Sequence, residues 1–241
     1  MRSCLALTLL MVGACSPAGR PTPSPFTSTG EIIALSGGKA GAEWACFRCH
    51  GLNGQGNGAG APRLAGMGTG YMARQLDYYA GGLRQNDHMH LIAKKLSWND
   101  RMAVSAYYDR MPSTAAALAP PTPQKLYHQG DAARGIQSCA ACHGARGEGA
   151  GLGNPPLAGQ PAPYLAAQHF AWREGKRYGD PLDVMLTISR RMTKAEIMAV
   201  SAYAAALPGA TARPGSTAAS LPARRADPRN DASAPRRYAA E

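Results

Sequence analysis

The chain has 241 residues, of which 45% are hydrophobic and only 7% aromatic, and it contains 28 glycines and 19 prolines. This length and composition predict two small domains with long loops and flexible ends rather than one large core. The formal net charge of +11 is spread over all segments, with no basic stripe interleaved with aromatic residues, which argues against a nucleic-acid-binding surface.

Residues 1–15 have the pattern of a bacterial export signal. Arg2 precedes an apolar run over residues 5–12, which is too short to span a bilayer alone. The run ends in a sequence that resembles the lipobox of lipoproteins, Val12-Gly13-Ala14-Cys15, which implies a lipid anchor on Cys15. The alternative is ordinary cleavage after a nearby alanine, which would release a soluble protein. Both interpretations predict a periplasmic location.

Residues 16–36 follow this signal. Four prolines fall within residues 16–30, where we find no helical or strand period. This composition predicts a semi-extended tether. The first domain is therefore expected to begin at residue 37.

One pentapeptide pattern, C-x-x-C-H, occurs twice in the chain, as Cys46-Phe47-Arg48-Cys49-His50 and as Cys139-Ala140-Ala141-Cys142-His143. It is the attachment signature of c-type haem, in which both cysteines form thioethers with the haem vinyl groups. The histidine then becomes a ligand of the iron, here His50 and His143. The sequence predicts two covalently attached haem c groups, and none of the six cysteines requires a disulfide.

Two other readings of the motif are less favoured. A thioredoxin-like redox pair needs a preceding strand and no histidine, whereas a Gly-rich loop follows each motif here. A zinc site would need four ligands gathered from motifs 93 residues apart.

The body of the chain is an internal duplication. A shift of 93 residues superposes the two motifs and aligns Leu64-Ala65-Gly66 with Leu157-Ala158-Gly159; after Asp87 and Asp180 the second copy gains three residues. The copies span residues 37–112 and 125–208. Between them, residues 113–124 are predicted to be a Pro-rich linker, and residues 209–241 a disordered basic tail.

Both copies are predicted to be all-α. In each we expect a first helix ending in the haem motif, over 39–49 and 132–142, and a second over 70–81 and 163–175. The last helix should begin at a capping box, formed by Ser97 with Asp100 and by Thr193 with Glu196.

This order of elements resembles class I cytochrome c, and in duplicate it is similar to the dihaem cytochrome c4 family. The residues that carry the resemblance are the two haem motifs, Leu-Ala-Gly, Tyr164, Gln168 and the closing Ala-Tyr helices of both copies. The resemblance covers residues 37–208 and implies two haem domains packed face to face.

The resemblance also implies the sixth iron ligands. In the family this ligand is a methionine eight residues before the cap of the last helix, which corresponds to Met89 and Met185. His88 and His90 flank Met89, so histidine ligation stays open for the first haem. Methionine ligation would raise the reduction potential, as a carrier that faces an oxidase requires.

The predicted function is electron transfer without substrate chemistry. We expect a periplasmic carrier between a respiratory donor, such as a quinol-oxidising complex or a dehydrogenase, and a terminal oxidase or similar acceptor. The alternatives are the haem subunit of a dehydrogenase complex and a dihaem peroxidase, and a peroxidase would need an open iron position.

Overall fold

The computed structural model describes residues 25–113 and 124–209, and helices are the regular elements within these ranges. The predicted signal with Cys15, residues 16–24 of the predicted tether, residues 114–123 of the predicted linker and the predicted tail from residue 210 lie outside the described residues. Helix α1 (Pro25–Ser36) precedes the first copy, which contains α2 (Phe47–His50), α3 (Thr69–Gly81), α4 (Asp87–Lys95) and α5 (Trp98–Asp109). The second contains α6 (Lys125–Gln129), α7 (Cys139–His143), α8 (Ala162–Arg173), α9 (Val184–Arg191) and α10 (Lys194–Ala206). The all-α prediction is confirmed.

Helix α1 corrects the predicted tether. Residues 25–36 are helical, and α1 packs along α5 with Ile33 and Ala34 buried in the first core. Gly30 makes this possible, because a Cβ atom there would overlap the carbonyl oxygen of Ala103 on α5. Burial of this apolar side outweighs the weak helical tendency of the Pro-, Thr- and Ser-rich sequence.

The predicted helix before each motif is also wrong as a continuous element. In the first copy, 3-10 turns at Gly38–Ala40 and Ala42–Trp44 precede the short α2. Gly37, Gly38 and Gly41 adopt positive φ values of 78°, 53° and 103°, which no α-helix accommodates. In the second copy α6, a 3-10 turn and α7 are separated by Gly130 and Gly135, which also have positive φ.

Each copy has its own core built between its long helices. In the first, α3 packs on α4 and α5, and in the second α8 packs on α9 and α10. Both predicted capping boxes are formed. The side-chain hydroxyls of Ser97 and Thr193 each accept a hydrogen bond from the backbone amide three residues later, and the carboxylates of Asp100 and Glu196 accept one from the backbone amide of the capping residue. These caps fix the start of the last helix in both domains.

The contacts between the two domains include a network of three side chains of the first copy and their repeat counterparts: Tyr71, Gln75 and Arg84, matched by Tyr164, Gln168 and Arg177. Arg84 donates to Gln75 in its own domain and to Tyr164 of the other, both at 2.8 Å. Arg177 donates to Gln168 at 2.9 Å and across to Tyr71 at 3.1 Å. The backbones of Arg84 and Arg177 also form an antiparallel bridge. The contacts are therefore reciprocal, as expected for a pseudo-two-fold arrangement.

Candidate haem sites

Each C-x-x-C-H motif forms one helical turn at the wall of a cavity. Cys46 precedes α2 as its N-cap and Cys139 opens α7, and in both copies the two cysteines and the histidine line the same cavity. One helical turn is the spacing that brings positions i and i+3 to one face. The four thiols are free in the structure, so they are available for thioether formation.

The two histidines are oriented by backbone carbonyls. His50 donates from Nδ1 to the carbonyl of Pro62 at 2.8 Å, and His143 donates likewise to Pro155 at 2.9 Å. A carbonyl can only accept, so Nδ1 carries the proton and Nε2 keeps its lone pair. Burial lowers the pKa of both imidazoles below 6.5, against the opposing effect of these hydrogen bonds. Both rings are thus neutral at physiological pH, as a metal ligand must be.

The cavities extend from the motifs to the predicted methionines. The first has a volume of about 910 Å³ and reaches Met89, and the second has a volume of about 320 Å³ and reaches Met185. Their walls are largely apolar and include Leu64, Ile92 and Val104 in the first, and Leu165, Ile188 and Val200 in the second. The structure thus brings the predicted cysteines, histidine and methionine of each copy together.

Both methionines are held by an upstream side chain. The amide of Met89 donates to Asn86 Oδ1 at 3.0 Å, and the amide of Met185 donates to Asp180 Oδ2 at 2.7 Å. Asp180 is fixed in turn by the indole N–H of Trp172 at 3.0 Å. Helix α4 is not among the helices predicted from the sequence, although Asn86 followed by Asp87 is an ordinary N-cap signal.

The two histidines beside Met89 differ in position. His88 lines the first cavity and lies against Trp44, with ring centroids 5.7 Å apart. His90 is not among the cavity residues, and its Nδ1 bonds the carbonyl of Tyr79 at 2.8 Å. Of the two, only His88 is placed to compete with Met89.

Unpaired polar side chains in the cavity walls indicate that each cavity binds a group with polar as well as apolar parts. In the described part of the chain, five buried side-chain atoms lack a hydrogen-bond partner. All five belong to residues that line one of the two cavities: Arg63, Ser105 and Tyr108 in the first, Arg74 and Ser201 in the second. Buried polar groups rarely stay unpaired in proteins, so a group with its own polar atoms fits here. Haem c, with an apolar macrocycle and two propionates, matches both features.

The other readings of the motif lack support in the geometry. Burial raises the pKa of the Cys46 and Cys139 thiols to about 11, whereas a redox-active pair needs a lowered thiol pKa. Among the described residues, no three His, Cys, Asp or Glu side chains converge to hold a metal ion, so the donor set of a zinc site is missing there.

Comparison with known proteins agrees with this geometry. The family model described as Cytochrome c matches residues 36–113 and 124–207. The chain therefore belongs to the cytochrome c family, with one domain of this family in each copy.

Two curated relatives refine this assignment. The thiosulfate dehydrogenase electron acceptor of Stutzerimonas stutzeri (strain A1501) is 43% identical over 181 residues, covering 72% of this chain and 84% of that protein. Cytochrome c4 of Pseudomonas aeruginosa is 32% identical over 164 residues, covering 66% of this chain and 81% of that protein.

Two solved structures share the fold. A thiosulfate dehydrogenase (TsdBA) from Marichromatium purpuratum superposes with a TM-score of 0.67 at 38% identity, and the match covers 76% of this chain but 40% of that one. Reduced recombinant cytochrome c4 from Pseudomonas stutzeri gives a TM-score of 0.63 at 28% identity, covering 75% and 98%. The chain is a dihaem, cytochrome c4-like electron-transfer protein that carries covalently bound haem c.

Within residues 25–113 and 124–209, no helix is both long enough and apolar enough to cross a bilayer.

Proposed function

We propose that this cytochrome accepts electrons from a thiosulfate dehydrogenase and passes them to a terminal oxidase or a similar acceptor. The supporting observation is the 43% identity to a protein named as the electron acceptor of that enzyme, which extends over both domains. The alternative, a haem subunit integral to a dehydrogenase complex, is supported by the match to part of a thiosulfate dehydrogenase chain.

The proposed iron ligands are His50 with Met89 and His143 with Met185. Haem c supplies an iron that takes up and releases one electron. The protein contributes a neutral imidazole with a fixed tautomer and largely apolar cavity walls, and the methionine in each cavity would supply a thioether to the iron. If the histidine and the methionine of each domain both bound the iron, neither site would leave a position for a substrate, which would favour a carrier over a peroxidase.

The donor can be tested by stopped-flow spectroscopy of the purified dihaem protein. Thiosulfate plus a purified thiosulfate dehydrogenase should reduce both haems under anaerobic conditions, as followed by their visible absorption bands. Thiosulfate alone should leave the haems oxidised. If the enzyme turns over with other acceptors but does not reduce this cytochrome, the proposed donor is wrong.

Reduction by thiosulfate alone, with turnover, would instead make the chain an enzyme. Tight co-purification with a dehydrogenase that is inactive without it would favour the subunit alternative.

We also propose that the protein is periplasmic and anchored through a lipid on Cys15. Support comes from the sequence pattern of residues 1–15 and from c-type haem attachment, which takes place outside the cytoplasm in bacteria. Cys15→Ser should move the protein from the membrane fraction to the soluble periplasm. A wild-type protein that is already soluble and cleaved after Ala14 or Ala18 would contradict the anchor.

A further inference from the structure

Arg63 is a buried cation in the wall of the first haem cavity. Its side chain is only 2% exposed, and it lines the first cavity but not the second. One guanidinium nitrogen donates to the carbonyl of Ala65 and another donates across the domain interface to the carbonyl of Ala158 at 2.8 Å. Its Nε is buried without a partner.

Arg63 lacks a counter-ion among the described residues. None of the ion pairs in this part of the chain includes it, and its interactions are with neutral groups. Burial lowers the pKa of its guanidinium to about 10, so it is still charged at neutral pH. An unpaired buried charge is costly, which indicates that an anion completes the site when the protein is loaded. The propionates of haem c are carboxylates and would supply such an anion with the cofactor.

The second copy has no cation at the position that corresponds to Arg63. The shift of 93 residues places Pro156 opposite Arg63, whereas the buried arginines Arg84 and Arg177 occur in both copies and balance each other. The second cavity has another cation, Arg74, but this side chain is only half-buried. It also has a half-buried anion, Asp180, which holds the Met185 amide. The first cavity is also lined by Glu43 and Arg48, but both are exposed and their charges offset each other, so this cavity has the greater buried positive charge.

We propose that Arg63 pairs with a propionate of the first haem and raises the reduction potential of that haem relative to the second. A nearby positive charge opposes the extra positive charge of ferric iron, and a low-dielectric site screens this interaction weakly. In the internal transfer one electron leaves ferrous iron in the second domain and reduces ferric iron in the first. Arg63 biases this equilibrium toward the first domain, whichever protein is the external donor.

The test measures both potentials of the dihaem protein by spectroelectrochemistry. Haem methyl NMR signals, assigned with a Met89→Ala variant, identify each haem. Arg63→Leu should lower the potential of the first haem selectively and shift the electron distribution about tenfold toward the second, equivalent to about 59 mV for a one-electron couple. Arg63→Lys should retain most of the wild-type difference. The matched control is Arg110→Leu, which removes an exposed cation of the same domain that lines neither cavity.

Unchanged potentials in Arg63→Leu, or an equal change in both haems, would overturn the proposal. A loss in Arg63→Lys as large as in Arg63→Leu would show that packing rather than charge is responsible. If the leucine variant fails to fold, Arg63→Gln keeps two donors and removes the charge, and the same selective decrease is expected. An Arg63→Gln protein with a wild-type first-haem potential also overturns the proposal.

Discussion

At the scale of single residues, the two sites depend on groups that act through their neighbours. Pro62 and Pro155 fix the tautomers of His50 and His143, and the side chains of Asn86 and Asp180 hold the amides of the two methionines. These supports lie outside the haem motifs. They orient the histidines and the proposed methionine ligands, whereas the motif itself specifies only the two cysteines and the histidine.

Substitution of the methionines tests the proposed ligand set. Met89→Ala and Met185→Ala should each open one iron, so that each variant binds about one carbon monoxide per chain and loses part of the near-red iron–sulfur band. The potential of that haem should fall, while both haems stay attached through the cysteines. Optical titration and intact mass measure these effects.

Met198→Ala is the matched control, since Met198 is exposed on α10 and lines neither cavity; this variant should behave as wild type. A Met89→Ala protein that stays six-coordinate would indicate that His88 binds the first iron instead.

At the scale of elements, α1 shows what sequence patterns could and could not predict. The haem motifs, both capping boxes and helices α3, α5, α8 and α10 follow from local signals, because spacing, caps and glycines act within a few residues. Helix α1 depends on burial against α5, some 70 residues later, and local composition favoured a tether. In the structure, α6 corresponds to residues 32–36 of α1 under the shift of 93 residues, so the structural repeat begins before residue 37.

The interdomain contacts were missed for a similar reason. The repeat alignment identified Arg84 with Arg177, but nothing in the sequence assigns either residue to an interface. The burial of Arg63 was also not predicted, because a single arginine in a loop gives no sequence signal that its side chain is buried. Both roles become visible only when the two domains are packed together.

Gly30 provides a test of the contact between α1 and α5. Helix propensity alone predicts that Gly30→Ala stabilises the protein by about 1 kcal/mol. The overlap with the backbone of Ala103 predicts the opposite sign, a loss of about 1–3 kcal/mol, because a backbone carbonyl cannot move aside easily.

Denaturant unfolding of the haem-loaded protein decides between these signs. Gly81→Ala is the control, since a Cβ at this helical position of α3 meets nothing within 4 Å and should be neutral or stabilising. Stabilisation by Gly30→Ala would contradict the close packing of α1.

At the scale of the whole molecule, the reciprocal arginine network holds the domains in one arrangement. Arg177 is buried, lies over the ring of Trp172 with 3.9 Å to its centroid, and bonds residues of both domains. Because Arg177 is buried, a group that loses its hydrogen bond to Arg177 cannot readily replace it with a bond to water. Each such loss lowers the free energy of unfolding.

Arg177→Leu should loosen the contact between the domains. It leaves the Tyr71 hydroxyl without its donor and Gln168 with one donor fewer, so we expect a loss of about 2 kcal/mol or more and a larger radius of gyration. Small-angle scattering and denaturant unfolding measure the two effects. Lys176→Leu, which removes an exposed neighbouring cation, should change neither. An unaltered radius of gyration in Arg177→Leu would mean that other contacts suffice.

The same network has a bearing on how such a chain arose. Tyr71, Gln75 and Arg84 recur as Tyr164, Gln168 and Arg177, so each copy presents a surface that is complementary to itself. A one-copy ancestor with these three residues would pair with an identical molecule through an isologous contact. The present chain then corresponds to a homodimer whose halves were fused and afterwards diverged, and Arg63 opposite Pro156 records that divergence.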